Sequence, residues 1–367
     1  MPSRQRRSGE WGCLAPPRRC DTVPVDPSTT PGLVPLARIE AAREAIAGRL
    51  HRTPTHSSAT AARIAGAAAG VSIADSRLYL KFEHLQKTGT FKPRATSNKL
   101  ASLTDPERAA GIITVSAGNA AQAYAWAARD RGIRATVVMP LHAAPNRVEA
   151  CRGYGAEVVL HGTAISETFA ELERRREAAG LVLCHPFDDP EVIAGNGTLG
   201  LELLEDLPDV DVVVVAIGGG GLASGVATAL KERRPGIRVW GVEPVASDAM
   251  TRGLAAGEPV RIEPASIADS LGAPYAGAWT LPICRHYLDG IVLLEDAEIL
   301  AGVRFAAERL KQVLEPAGAA ALAALLFGRV PLRDGDRVAT ILCGGNAVLD
   351  RYGQQLEAAA PLPGADR

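Results

Sequence analysis

Short, mainly apolar runs recur along the chain at residues 78–82, 111–115, 135–139, 157–160, 181–183, 212–217, 239–242, 291–294 and 338–342. They are too short for helices and have the near-continuous apolarity of strands buried on both faces. Between them lie longer stretches with helical spacing. Leu36, Ile39, Ile46 and Leu50 share one helical face, and Thr53-Pro54 ends it. Alanine-rich helices are expected near 59–68 and 120–128. Further helices are expected from 145, over 164–179, from 192 to before Pro208, from 221 to Arg233, and over 297–310 and 318–325. Strand and helix alternate, which predicts an α/β protein whose mostly parallel sheet is flanked by helices. No repeat of fixed period is present.

Four loops stand out against this pattern. The first follows the run at 78–82, turns through Lys87-Thr-Gly-Thr90 and presents Lys92 at a helix start, with Pro93 suited to the first helical position. A cation there opposes the helix dipole. Lys92 is therefore better explained by use of its nitrogen in chemistry than as a solvated surface lysine. The second is Gly218-Gly-Gly-Gly221, between a strand and a helix. Successive glycine N–H groups at a helix N-terminus converge on one anion, and a phosphate is the expected guest. No Gly-Lys-Ser/Thr follows, so this is not a Walker A loop. Gly218-x-Gly220-x-x-Ala223 also fits a dinucleotide pattern loosely, with Glu243 at a strand end 25 residues beyond Gly218, where a ribose-binding acid would sit. The third loop, Cys343-Gly-Gly-Asn346, ends the last strand. The fourth, Ser116-Ala-Gly-Asn119, lies at a strand's C-terminal end, where open α/β sheets bind ligands, and its N–H groups suit a carboxylate.

Composition narrows the field. The 367 residues allow two or three domain-sized units, and 47% hydrophobic content allows a sizeable core. A net charge of −1 argues against nucleic acid or a membrane surface as partner. No apolar run approaches the roughly 18 residues of a membrane span. The six cysteines (13, 20, 151, 184, 284 and 343) lack zinc spacing and read as reduced thiols of a cytoplasmic protein. In residues 1–34 arginines alternate with prolines and no apolar run follows, so this reads as a disordered tail or an over-long start rather than an export signal. With 21 residues after Asn346, no C-terminal regulatory domain is expected.

Taken together, the loops resemble the fold-type II pyridoxal-phosphate enzymes, in particular the serine/threonine dehydratase (threonine ammonia-lyase) family. The resemblance is carried by Lys81-Phe-Glu-His-Leu-Gln86, Thr88-Gly-Thr-Phe-Lys92, Ser116-Ala-Gly-Asn119, Tyr154-Gly-Ala-Glu-Val158, His185-Pro-Phe-Asp-Asp189, Gly218 to Leu222, Glu315-Pro316 and Cys343-Gly-Gly-Asn346. These run collinearly over about residues 36–355. The resemblance implies a tryptophan synthase β-like fold with two domains of open, twisted, mostly parallel sheets. A large cofactor-binding domain would span 36–105 and 189–356, and a small mobile one 106–188, with 357–367 a second tail. It also implies a homodimer.

Site roles follow from the same resemblance. Lys92 would form the Schiff base with pyridoxal 5′-phosphate, stacked near Phe91, and Asn119 would bond the ring hydroxyl. Gly218, Gly219, Gly220, Gly221 and Leu222 would hold the phosphate. Cys343 would face the pyridine nitrogen with Glu315 nearby, and the turn Ser116, Ala117, Gly118, Asn119, Ala120 would take the substrate carboxylate. Glu243 is the candidate ligand for a monovalent or divalent cation. Some members pair such a glutamate with an aspartate six residues on, where this chain has Ala249, with Asp248 beside it.

The implied reaction is α,β-elimination from L-threonine or L-serine, giving a 2-oxo acid and ammonia. Hydroxyaspartate or another β-hydroxy amino acid is the alternative substrate. Ala117 stands where the family's serine racemases carry a serine that moves a proton on the opposite ring face, and Phe187 replaces a polar residue of some racemases. Lys92-Pro-Arg94 differs from the Lys-Asp-Arg of the sulfhydrylase and threonine-synthase branches. These contrasts favour elimination over racemisation or replacement. Departures from the family pattern are Ala120 for a common histidine, Ala95-Thr96 for Gly-Ala, and Asn196 for glutamine. The other readings are a racemase or β-replacement enzyme, a nicotinamide-dependent oxidoreductase built on Gly218 to Ala223, and a cofactor-binding protein without turnover.

Overall fold

The structure is a computed structural model and describes residues 32–363. The expected tail at 1–34 therefore lies largely outside the described residues, but Val34 is fully buried in the main core. At the other end, the Ala360 N–H donates to the Ala297 carbonyl (2.9 Å) and Leu362 packs on the same core, so the second expected tail is held at these points.

Two sheets organise the chain. The strands are β1 (Thr55–Ser58), β2 (Leu78–Lys81), β3 (Ile112–Val115), β4 (Ala135–Met139), β5 (Glu157–Leu160), β6 (Val182–Leu183), β7 (Val212–Ala216), β8 (Arg238–Pro244), β9 (Gly290–Leu294) and β10 (Val338–Ile341). One sheet has six strands in the order β1-β2-β10-β7-β8-β9, the other four in the order β5-β4-β3-β6. Every pairing is parallel except β1 with β2. The all-buried Val212-Val-Val-Val-Ala216 lies between β10 and β8, as a central parallel strand requires. Register places Ile341 opposite Lys81 and Ala216 opposite Val242. The loops after β2, β7 and β10 consequently leave the six-stranded sheet at one edge, its C-terminal edge. In the smaller sheet the Ser116–Asn119 turn and the His185–Asp189 segment likewise follow the C-terminal ends of β3 and β6.

The apolar runs located nine strands to within a few residues. Strand β1 was missed, because Thr-His-Ser-Ser is a polar, mostly exposed edge. The helices Asp105–Ala110, Ala249–Ala256, Thr280–Tyr287 and Leu349–Glu357 were also missed. The expected helix at 297–310 is Asp296–Phe305 continued by a π turn over Ala306–Leu310, which Lys311 ends at φ 59°.

Helices close on one another through small residues. A Cβ on Gly225 would lie 2.2 Å from the Ile193 carbonyl, and one on Gly195 2.4 Å from the Arg94 carbonyl. The helices Gly221–Arg233, Pro190–Asp206 and Lys92–Ala101 thus pack nearly backbone to backbone. Between the last two, and under β2, runs a buried ion network. Arg94 and Glu83 are 1% and 0% exposed. Arg94 binds both Glu83 oxygens (2.8 and 2.9 Å) and both Glu202 oxygens (2.7 and 2.8 Å). Lys81, wholly buried, reaches Glu202 (3.1 Å), Asp206 (3.0 Å) and the Thr53 carbonyl (2.9 Å). Each buried charge has an opposite partner and further hydrogen bonds, the condition under which burial is tolerated.

Removing one partner would leave the other charge buried and uncompensated. Glu83→Gln is expected to lower unfolding free energy by about 3 kcal/mol, measurable as a shifted urea midpoint at unchanged slope.

Candidate active site

The lysine turn and the cysteine turn are stitched together by backbone. Thr90 bridges Gly344, the Phe91 N–H donates to the Cys343 carbonyl (3.1 Å), and the Gly345 N–H to the Gly89 carbonyl (2.9 Å). Gly89 is required on two counts: φ is 74°, and a Cβ would lie 2.6 Å from Asn346 Oδ1. The turn delivers Lys92 as the first residue of the helix Lys92–Ala101, with Pro93 behind it. Lys92 Nζ lies 4.9 Å from the Phe91 ring centre, and its one hydrogen bond, to the Pro186 carbonyl, is long at 3.5 Å. Burial of the amine lowers its pKa from 10.5 to about 8, against the opposing charges of Cys343 and Glu315.

Cys343 and Glu315 are both buried. Burial, and then the Glu315 charge, push the Cys343 thiol up to about 12. At neutral pH it is a thiol, and it donates to the Ala317 carbonyl (3.4 Å). Burial, and then the Asp269 charge, push the Glu315 carboxyl up to about 7, opposed by the Arg147 charge and by the bond from Asn119. Glu315 Oε1 accepts from Asn119 Nδ2 at 2.6 Å, while Oε2 is enclosed without a partner.

Asn119 begins the helix Asn119–Arg131. The carbonyl of Thr88 accepts from Asn346 Nδ2 (2.9 Å), which fixes that amide, and the same nitrogen donates to Asn119 Oδ1 (2.8 Å). Asn119 must then turn its Nδ2 toward Glu315 and toward Ser270 Oγ (3.1 Å). The chain of amides joins the lysine, cysteine and substrate turns.

The glycine loop has no room for side chains. A Cβ on Gly218 would lie 3.1 Å from Leu271, one on Gly219 2.4 Å from the Phe187 ring, and one on Gly221 2.8 Å from the Phe187 carbonyl. Gly220 sits at φ 93° before the helix Gly221–Arg233, and Leu222 is buried within its first turn. Thr280 Oγ1 donates to the Gly219 carbonyl (2.7 Å). Asp188 accepts from the N–H groups of Ala278 (2.8 Å), Trp279 (2.8 Å) and Thr280 (3.2 Å), holding that support in place.

In the Ser116–Asn119 turn, the Gly118 N–H donates to Ser116 Oγ (3.1 Å), and the Ala117 carbonyl accepts from Arg147 Nη1 (3.4 Å). Ala120 adds only a buried methyl group. Glu243 lies apart from this cluster. Its carboxylate accepts from the N–H groups of Met250 and Thr251 (both 2.8 Å) and from Thr251 Oγ1 (2.6 Å), so both oxygens serve the start of the helix Ala249–Ala256. Among the described residues no three His, Cys, Asp or Glu side chains gather as a metal site. Both Glu243 oxygens therefore have a structural use in this cap.

Lys92, Phe91, Asn119, Glu315 and Cys343 are thus brought together, with the glycine loop joined to them through Pro186 and Phe187. Sequence reasoning missed Arg147, Asp269, Ser270 and Thr280, and it quoted Asp188 without a role. The first looks like any helix-surface arginine, and Asp269, Ser270 and Thr280 lie in the 245–289 stretch, whose two helices are only eight residues long and were not expected.

Residues 50–344 match the family described as pyridoxal-phosphate dependent enzyme. The chain belongs to this family. It is 39% identical over 315 residues to an L-threonine ammonia-lyase of Thermotoga maritima, covering 86% of this chain and 76% of that one. It is 43% identical over 279 residues to a catabolic L-threonine dehydratase of Escherichia coli, covering 76% and 85%. Among solved structures, a threonine deaminase of T.th. is similar with a TM-score of 0.76 and 40% identity, over 85% of this chain and 98% of that one. Maize serine racemase is similar with a TM-score of 0.82 and 35% identity, over 89% and 98%. These findings set aside the nicotinamide reading of the glycine loop.

The side chains present fit the cofactor of this pyridoxal-phosphate enzyme. The loosely bonded amine of Lys92 suits an aldehyde partner, the crowded glycine loop at a helix N-terminus suits a phosphate, and the orphan Glu315 Oε2 is a polar atom awaiting one.

Two outcomes are expected. Lys92 is neutral above about pH 8, so the rate at which apoprotein takes up pyridoxal phosphate should rise with pH up to that value and level off beyond it. Stopped-flow absorbance measures this. For Glu315, a folded pKa of about 7 against 4.5 means the folded state binds more protons between those values. Its contribution to stability is full below 4.5 and is lost as pH rises through 7. Glu315→Gln apoprotein should therefore gain stability relative to the parent as pH is raised across that window in denaturant titrations.

Proposed function

We propose that this pyridoxal-phosphate enzyme is an ammonia-lyase that removes water from L-threonine or L-serine and releases a 2-oxo acid and ammonia. The observation that carries the reading is the Lys92 amine, brought to a pKa of about 8 beside a neutral thiol and a buried carboxyl. The L-threonine ammonia-lyase of Thermotoga maritima and the L-threonine dehydratase of Escherichia coli support it.

When bound, pyridoxal phosphate supplies the electron sink for charge developing at Cα. Lys92 would hold it, with Phe91 against the lysine, the glycine loop would take its phosphate, and Asn119 and Cys343 would face its ring. Lys92 then acts as the base toward the Cα proton, and its desolvated amine, half neutral near pH 8, is matched to that task. Cys343 offers the ring nitrogen no negative charge, because its thiol is protonated. A neutral thiol there would favour loss of the β-hydroxyl more than a carboxylate in its place would. Ser116 and the turn through Ala117, Gly118, Asn119 and Ala120 receive the substrate carboxylate.

Racemisation is the second reading, favoured by the likeness to maize serine racemase. Ala117 opposes it, because a methyl group moves no proton. Residues 36–105 with 189–356 form the cofactor-holding domain in this reading, and 106–188 the domain that brings the substrate turn. Separate hydrophobic clusters support two units, although Leu100 and Leu103 pack with the smaller one. We also place the enzyme in the cytoplasm as a homodimer. The buried Cys151, Cys184, Cys284 and Cys343 are all unpaired, and no helix among the described residues is long and apolar enough to cross a membrane.

The test is the visible spectrum of the holoenzyme before and after L-threonine, with 2-oxobutanoate assayed in parallel. A changed band with accumulating 2-oxobutanoate is expected. Lys92→Ala should lose turnover by about 10³-fold or more. D-serine formed from L-serine at a rate comparable to pyruvate would overturn the elimination reading.

A further inference from the structure

Arg147 and Asp269 meet beside the substrate turn. Arg147 belongs to the helix Pro145–Gly153 and is only 8% exposed. Its Nη1 and Nη2 bind Asp269 Oδ2 and Oδ1 at 2.8 and 3.2 Å, a two-pronged pair. Nη1 also donates to the Ala117 carbonyl (3.4 Å) and lies 3.7 Å from where a Cβ on Gly118 would be. Nε is enclosed and has no partner. A guanidinium this deep, against the turn that takes a carboxylate, is a ready seat for a second anion.

Asp269 already occupies that seat. It reaches Arg147 from the short turn Asp269–Leu271, and its own side chain is 58% exposed, so the pair has a wet side. The neighbouring Ser270 Oγ accepts from Asn119 and donates to Asp269 Oδ1 (3.3 Å), which ties the pair to the cofactor-side amide. The pair is also felt inside the site, where the Asp269 charge raises the Glu315 carboxyl and Arg147 lowers it.

We propose that Asp269 is a specificity-determining residue: its carboxylate fills the Arg147 seat that a second carboxylate of an acidic amino acid would otherwise take. The site then admits neutral β-hydroxy amino acids and rejects hydroxyaspartate and its like. A substrate β-carboxylate placed here meets a like charge and finds the two Nη groups already taken. This rests on the elimination reading for its substrate class, but its physical content is the occupancy of Arg147.

The experiment uses holoenzyme and two four-carbon probes without an amino group, succinate and butanoate, with binding read by calorimetry. Asp269→Asn should bind succinate about tenfold or more tighter than the parent, the worth of one charge-assisted bond. Butanoate binding should be unchanged. Asp269→Glu should exclude succinate as the parent does, and Asp269→Asn/Arg147→Gln should lose the gain. Asp269→Ser serves as a second opened variant should the asparagine form fold poorly. Equal succinate binding in parent and opened variants, or a gain that survives removal of Arg147, overturns the proposal. An L-threonine response absent from the parent would sink the elimination reading alone, because the succinate comparison does not depend on turnover.

Discussion

The site depends on the buried pairing of Arg94 with Glu83 and Glu202. Arg94 stands two residues after Lys92 on the same helix, Glu83 follows β2, and Glu202 belongs to the helix Pro190–Asp206. One guanidinium therefore fixes where the reactive lysine sits relative to the sheet edge and to the helix that Gly195 presses against it. A flexible apolar contact would hold the helices together but would not set their register. The fork of a planar cation does, because each nitrogen must find its own oxygen. Lys81 extends the network to Asp206 and so binds the last residue of β2 into the same frame.

On that frame the two sheets offer loops with different duties. Loops of the six-stranded sheet carry Lys92, the four glycines and Cys343, while the four-stranded sheet carries the Ser116–Asn119 turn. They meet through polar groups, Asn119 with Glu315 and Arg147 with Asp269, while Tyr124 braces the four-stranded side by donating to the His185 carbonyl (2.8 Å). His185 is itself held by two backbone donors, the N–H groups of Phe187 and Asp188, at Nδ1. It stays neutral because burial lowers its pKa.

Much of the fold was legible because parallel strands buried on both faces leave apolar runs, as in the four successive valines of β7. Candidate site positions stood out where a residue contradicts its local surroundings, as Lys92 does at a helix start and Gly218 to Gly221 do after a strand. What stayed hidden lies in short elements that contain no continuous apolar run. Strand β1 is polar because it lies at an edge, and the stretch 245–289 is organised by carboxylates such as Asp188, Glu243 and Asp296 accepting backbone N–H groups from distant loops. Arg147 reads as a solvent-facing helix residue until Asp269, 122 positions away, is placed beside it.

Cys343 shows what the site gives up and what it gains. Peroxides and alkylating agents attack thiolates, and a sulfur whose proton leaves only near pH 12 presents almost none at neutral pH. The centre of the site thus holds a sulfur that is chemically quiet. Its burial adds a second barrier, because an oxidant has almost no surface of this residue to reach.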